Sequence, residues 1–461
     1  MFAVVVLALA AEAPALPSVR HHALVFKSEE QLIPNTHQLV ARTQPRPSLV
    51  SAKPMTKSFR PTGLILLCCL LAFATDSNNA MSGSFFATHF VERGVSTANL
   101  GLALGVSSGL GLLAAAPLTP SLIRRFGATK TMLCSALVYA GCRFALAALH
   151  GVSNPRVLTV LATMALTVQA AADAACDTSA STTVLVSVAK EERTQAQGTF
   201  LALRSLGSLV APPLGGWLYV TGGFSLPFVA FGTLLLLACL PVLRAVLRAP
   251  PIQAEAPKEA DGQSVLGLWR VRRVMISMTA VAACLPFPAA YWAPFLKAPP
   301  YGLDEARIGL AMMLATVLFT GASVASGPLE KAVGGVVMLG LGTTLGALGF
   351  FLTSSVWPFV LLPARVGVPV VGMCVLYGAI GLVFAAASPL CVKLAEDEGM
   401  SSEAAASQVT SLWIMAFALA GSAAPPLGGW VAQRAGPRAA QAVAGGLALL
   451  ATMPLLGLSV K

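Results

Sequence analysis

The sequence predicts an all-α integral membrane protein, with twelve transmembrane helices in two pseudo-symmetric six-helix bundles. Three observations carry that expectation. Of the 461 residues, 56% are hydrophobic and only 11% charged, where soluble domains run nearer a quarter charged. Apolar runs long enough to cross a bilayer recur twelve times, at 62–90, 98–122, 129–149, 157–187, 195–219, 225–247, 271–295, 306–329, 335–354, 367–392, 404–431 and 438–459. One heptapeptide, APPLGGW, occurs at 211–217 and again at 424–430.

Each run is read as a helix because lipid offers no partner for backbone N–H and C=O groups, and a helix satisfies them within itself. Residues 1–60 stand apart. Met1–Ala15 has a short apolar core followed by small residues, like a signal peptide, but lacks a basic start. The polar, basic stretch after it holds Pro45 and Pro47. The segment reads as a targeting peptide, a disordered tail or a start assigned too early; Met55 opens a short basic leader just before the first span. The first bundle occupies 61–248. A polar central loop follows at 249–270, and the second bundle occupies 271–461. Near Val356–Val371 the pattern is interrupted by Pro358, Pro363 and Pro369.

Charge sets orientation. The net charge is +11, from 30 Lys and Arg against 19 Asp and Glu. The basic residues lie between spans and are not interleaved with aromatics, so nucleic acid is excluded as a partner. With the N-terminus and central loop in the cytoplasm, thirteen basic loop residues fall on that side and seven on the other, the bias expected of a positive-inside topology. Lys190, Lys258 and Lys331 are among the thirteen; Lys297 is among the seven. The nine cysteines lie in or beside apolar spans without CxxC spacing, so they read as packing residues. No histidine sits mid-span. No metal, no cofactor and no enzyme are expected, because no ligand spacing, nucleophile–base set or phosphate loop in context is present.

The two copies of APPLGGW are 213 residues apart and fall in spans five and eleven, the same place in each half. A weaker echo joins PSLIRRFG at 120–127 to GPLEKAVG at 327–334. Parallel six-helix repeats are one construction of secondary transporters. Proline removes a helix hydrogen bond and glycine lets a neighbouring backbone approach. Gly207, Pro212, Pro213, Gly215, Gly216, Pro425, Pro426, Gly428 and Gly429 are therefore candidates for a surface on which two bundles rock, or for ordinary tight packing.

The stretch Gly207–Gly216 (GSLVAPPLGG) resembles the fifth-helix antiporter motif of the major facilitator superfamily. Arg124, Arg125, Gly127 and Lys130 resemble its loop 2–3 motif. Gly83–Phe86, Pro212–Tyr219 and Phe224–Gly232 resemble the vesicular amine and polyamine transporter branch, of drug:proton antiporter type. The resemblance covers about 62–459 and implies the major facilitator fold, a small-molecule substrate and proton exchange. The chain departs from the pattern at Pro120, Arg124, Lys331, Thr167, Leu201, Ser84 and Ala87. Acid-linked drive must therefore rest on other residues of this chain.

Ionisable side chains inside spans cost about 2.5–3.5 kcal/mol each to insert, so they are functional candidates. Here they are Asp76, Arg143, Asp173, Asp177 and Arg204. Gln169, Asp173, Asp177 and Ser181 follow one another at helical i+4 spacing and share one stripe. Two carboxylates one turn apart suit a proton or cation site, and Arg204 could neutralise one of them. Asp76 opens a polar patch with Asn79, and Arg143 could be its partner. The alternative is that these groups only lock helices together. Trp292, Trp413, Phe85 and Phe86 could form a cation–π surface or serve as packing and interfacial anchors.

The leading expectation is a monomeric secondary transporter of an organic cation, by alternating access with possible proton antiport. The others are a facilitator of an organic anion or neutral metabolite, using Arg143 and Arg204, and a non-transporting membrane receptor or assembly factor. The sequence does not say which membrane holds the protein.

Overall fold

The structure, a computed structural model, describes residues 63–188, 193–248, 264–354, 356, 358–361, 365–400 and 402–457. The reading of 1–60, most of the central loop, and Lys190, Lys258 and Pro363 lie outside the described residues.

Among the described residues there are fourteen α-helices and no strand. In the first half they are α1 (Gly63–Met81), α2 (Phe86–Glu92), α3 (Thr97–Phe126), α4 (Ala128–Ala148), α5 (Pro155–Val186), α6 (Arg193–Gly222) and α7 (Ser225–Arg248). In the second half they are α8 (Trp269–Cys284), α9 (Trp292–Lys297), α10 (Glu305–Val333), α11 (Gly335–Phe351), α12 (Gly367–Asp397), α13 (Ser402–Ala435) and α14 (Pro437–Leu450). Twelve match the twelve runs. Eight of the spans are long and apolar enough to cross a membrane by length and hydropathy alone. Of the rest, α6 is diluted by polar side chains, α8 opens on three arginines, and α11 and α14 are short.

Spans one and seven are each broken rather than continuous. The first is interrupted by a 3₁₀ turn at Ser82–Ser84, and the seventh between Cys284 and Trp292. The second break contains Pro286 and Pro288, which lack the N–H a helix needs. The short α2 and α9 continue the path. Pro369, by contrast, is tolerated in the first turn of α12, where backbone N–H groups have no intrahelical partner in any case. The final helix stops at Leu450, short of the expected 459, with a 3₁₀ turn at Met453–Leu455 after it.

Local chemistry fixes the helix starts. The Ser96 side chain accepts from the Asn99 N–H at 3.2 Å, Asn154 from Arg156 at 2.9 Å, and Asp304 from Arg307 at 2.8 Å, as N-caps do. The loops of the weaker echo also match. Gly127 has φ 84° and ψ 157°, and Gly334 has φ 84° and ψ 149°. At both places only glycine takes that backbone without strain, and the next helix begins at once.

Each half has its own core. In the first half Ile65, Leu71, Met132, Tyr139, Phe200 and Val242 are buried together, and in the second Val274, Met338, Phe350, Leu390 and Val409. Seven of the nine cysteines are buried, and all are free. The halves meet where α3 packs on α13 and where α6 packs on α10.

Candidate functional site

Two acidic residues, Asp76 of α1 and Asp177 of α5, meet one arginine of α6, and a third, Asp173, lies one turn away. Arg204 Nε lies 3.2 Å from Asp76 Oδ1, and Arg204 Nη1 lies 2.5 Å from Asp177 Oδ1. Arg204 therefore bridges two acids and not one. Ser208, one turn further along α6, donates its hydroxyl to the other Asp76 oxygen. Asp173 stands one turn from Asp177 and accepts from Asn79 Nδ2 at 2.8 Å. Two carboxylates thus pair with one guanidinium while a third stands one turn away on Asn79, which leaves a surplus of acceptors.

The i+4 stripe of α5 faces protein along its whole length. Gln169 reaches Asn79 Oδ1 at 3.4 Å, Asp173 meets Asn79, Asp177 meets Arg204, and Ser181 accepts from Gln197 at 2.9 Å. So α1 covers the upper part of the stripe and α6 the lower. The local sequence permits this closeness: a Cβ on Gly207 would stand 2.6 Å from the Phe73 carbonyl, so α6 can press on α1 only with glycine there.

Arg143 is not the partner of Asp76. It is 1% exposed, donates to the Asn78 carbonyl and to the Tyr139 hydroxyl, the latter at 2.8 Å, and lies over the Tyr139 and Phe228 rings. Its burial among α1, α4 and α7 closes it to a dissolved anion. The aromatic residues do not share one surface either. Phe85 and Phe86 belong to a buried cluster with Phe90, Tyr219, Phe224 and Phe228. Trp292 packs on Phe295 and donates to the Met373 sulfur, while Trp413 packs on Phe384 and Phe417. Arg124 and Arg125 are exposed at the end of α3.

The APPLGGW copies make the same contacts twice. In the first, Gly215 faces the Met81 carbonyl, Gly216 faces the Glu305 carbonyl, and the Pro212 carbonyl faces Gly309. In the second, Gly428 faces the Phe287 carbonyl, Gly429 faces the Thr97 carbonyl, and the Pro425 carbonyl faces Gly101. Pro426 fills the space beside Gly105. The first glycine of each pair thus meets the break in span one or seven, and the second meets the first turn of α10 or α3 in the opposite half. These approaches hold the halves together at one end. Thr97 also donates to the Gly429 carbonyl at 3.1 Å.

A charged latch sits at that same end. Lys297 Nζ lies 2.6 Å from both Glu92 Oε1, in the other half, and Glu305 Oε1. Burial alone would lower the Lys297 pKa, but its hydrogen bonds to Glu305 and Glu92 outweigh it and hold the ammonium above the ordinary lysine value. A raised lysine pKa contributes stability that is complete below the unfolded value and is lost as pH rises through the folded one. The Lys297 side of the latch therefore stays charged through neutral pH and fails only in strong base. Lys297→Gln is expected to speed amide hydrogen exchange in 86–92 and 292–305 and to leave α11 unchanged. Equal exchange in both segments would remove the latch from this account.

The Major Facilitator Superfamily profile matches residues 67–402. The chain belongs to this superfamily. It is 22% identical over 384 residues to the MFS-type transporter SLC18B1 of Homo sapiens, covering 81% of each chain. It is 36% identical over 162 residues to a probable vesicular acetylcholine transporter-B of Danio rerio, over 34% of this chain and only 30% of that relative's length. A bacterial homologue of the human lysosomal transporter Spinster, inward-facing and occupied, superposes with a TM-score of 0.68 at 14% identity, over 85% of this chain and 95% of the other. A bacterial homologue of the iron transporter ferroportin, inward-facing, gives 0.64 at 16%, over 85% and 97%. These two structures share the fold.

Superfamily membership makes this a multi-pass membrane protein of the transporter class, not an enzyme, with lipid around it and a small molecule as substrate. Within the major facilitator fold, the sequence singled out Pro212, Pro213, Pro425, Pro426 and their glycines but passed over what they touch. Gly101 and Gly309 were legible as a pair, since Leu-Gly-Leu-Ala at 100–103 echoes Ile-Gly-Leu-Ala at 308–311. The latch residues Glu92, Lys297 and Glu305 left no such signal, because exposed charges at helix ends are common on any membrane protein.

Proposed function

We propose that the chain is a secondary active transporter that moves a small organic cation, an amine or polyamine, by alternating access in exchange for protons. The observation that carries this is the cluster of Asp76, Asp173 and Asp177 around the single cation Arg204. Two carboxylates paired with one guanidinium and a third left without a cation of its own favour a positively charged visitor. The same carboxylates can hold protons when the visitor leaves, so proton and cation compete for one place. The names of the relatives, vesicular acetylcholine transporters and SLC18B1, support the cation. The closed end at Thr97, Glu305 and Gly429 supports the cycle. In the orientation set by the charge bias that end faces away from the cytoplasm.

Arg204 Nε and Nη1 are each taken by a carboxylate and Arg143 is buried, which favours a cation over an anion. Reconstitution in liposomes with an imposed pH gradient tests the proposal against a panel of amines and polyamines. Gradient-driven uptake of at least one is expected, falling about tenfold or more in Asp173→Asn, because the ionised side chain is the costly and therefore functional form in a membrane. No uptake across the panel would sink the cation assignment, and binding without flux would point to a receptor.

A further inference from the structure

Arg143 is left over by the charge cluster. It is a guanidinium at 1% exposure inside α4, and among the described residues no carboxylate forms an ion pair with it. A buried charge without a counter-charge is costly, so its surroundings must supply the compensation. Its donors reach the Asn78 carbonyl and, at 2.8 Å, the Tyr139 hydroxyl. The chain of bonds then runs on. Tyr139 lies 2.7 Å from Asn79 Oδ1, and Asn79 Nδ2 lies 2.8 Å from Asp173 Oδ2.

The direction of this chain is fixed at one end. Arginine only donates. The Tyr139 oxygen takes that bond, so its own proton points onward. Of its two acceptors, Asn79 Oδ1 at 2.7 Å is nearer than the Thr75 carbonyl at 3.2 Å. That turns the Asn79 amide with its oxygen toward Tyr139 and its NH₂ toward Asp173. The flipped amide would set a carbonyl oxygen against a carboxylate oxygen. Two neutral side chains thus link a buried cation to an acid it never touches.

We propose that Arg143 is a positioning residue for Asp173, acting through Tyr139 and Asn79. Together with Gln169 Nε2, which also reaches Asn79 Oδ1 but at the longer distance of 3.4 Å, it sets which group Asn79 offers and so holds the Asp173 carboxylate in place. The inference rests on the reading of Asp173 as a site carboxylate, but its test needs no substrate. The other charged groups around Asp173 are Asp76 on α1, Asp177 on α5 and Arg204 on α6, and the variants below leave them all unchanged.

Infrared spectra of purified protein labelled with carboxyl-¹³C aspartate provide the readout. Subtracting Asp173→Asn isolates the Asp173 carboxylate band, and the same subtraction is made in each variant background. Tyr139→Phe keeps the ring under Arg143 and the bond to Asn78, and removes the hydroxyl with its contacts to Arg143, Asn79 and the Thr75 carbonyl. The Asp173 band is expected to shift in Tyr139→Phe at temperatures well below unfolding, although that variant unfolds somewhat earlier because Arg143 loses a partner. It should shift likewise in Arg143→Gln, whose amide can accept as well as donate. A band at the wild-type position in folded Tyr139→Phe would overturn the proposal, and Arg143 would then be a helix fastener only. Failure of every amine to be transported would remove the proposed substrate while leaving the band shift standing, so the two readings fail separately.

Discussion

Alanine at Gly216 or Gly429 is expected to slow transport about fivefold or more in a chain that still folds. A Cβ at either position would stand 2.2 Å from a backbone carbonyl of the opposite half, that of Glu305 or that of Thr97. A flexible side chain could swing away; a helix backbone cannot. The strain of overpacking is typically about 1–3 kcal/mol. In the proposed alternating-access cycle it is felt only when this end is closed, with α6 against α10 and α3 against α13. The penalty therefore shifts the equilibrium between closed and open by roughly five- to 150-fold, and a cycle that must visit both states slows accordingly. Spin-label distances between the first turn of α3 and the last turn of α13 should lengthen. Gly141→Ala and Gly446→Ala serve as controls, since a Cβ there meets nothing within 4 Å. Wild-type uptake by Gly216→Ala would show that the two halves do not need this contact.

That prediction depends on a repeat that was visible from the sequence, and the reason is physical. Twelve spans are legible because lipid forces backbone groups to pair within each helix, so each span shows as an apolar run with boundaries near the real ones. The halves are legible because APPLGGW survives as identity where a Cβ cannot be tolerated. The breaks after Met81 and Cys284 were not, since a few residues of turn do not interrupt an apolar run. The acid cluster was half legible. Helical periodicity put Gln169, Asp173, Asp177 and Ser181 on one stripe, but it cannot say which neighbouring helix covers that stripe. Hence spacing leaves Arg143 open as a partner for Asp76, whereas in the fold Arg204 takes Asp76 and Asp177 together and Arg143 faces Tyr139. Contacts between helices far apart in sequence depend on packing angles, which one-dimensional spacing does not encode.

Arg204→Ala is expected to be among the most damaging single changes to stability in the first half. It leaves Asp76 and Asp177 facing one another with no cation between them and Asp173 one turn away. Breaking a fully buried pair costs about 3–5 kcal/mol. Here the side chains are 28%, 15% and 40% exposed for Arg204, Asp76 and Asp177, so water relieves part of that and roughly 1–3 kcal/mol is expected. The effect should be a lower thermal midpoint in detergent. Asp177→Asn on its own should cost far less, because Arg204 keeps Asp76 and the amide can still accept from it. In the Arg204→Ala background the same Asp177→Asn should restore stability, since it removes one of the two stranded charges. Function should follow the opposite pattern. Asp177→Asn should impair proton-coupled exchange despite its good stability, and the rescued double variant should remain inactive. If the double variant unfolds as early as Arg204→Ala, the cluster is not held by charge compensation, and the case for a cation displacing protons from it weakens as well.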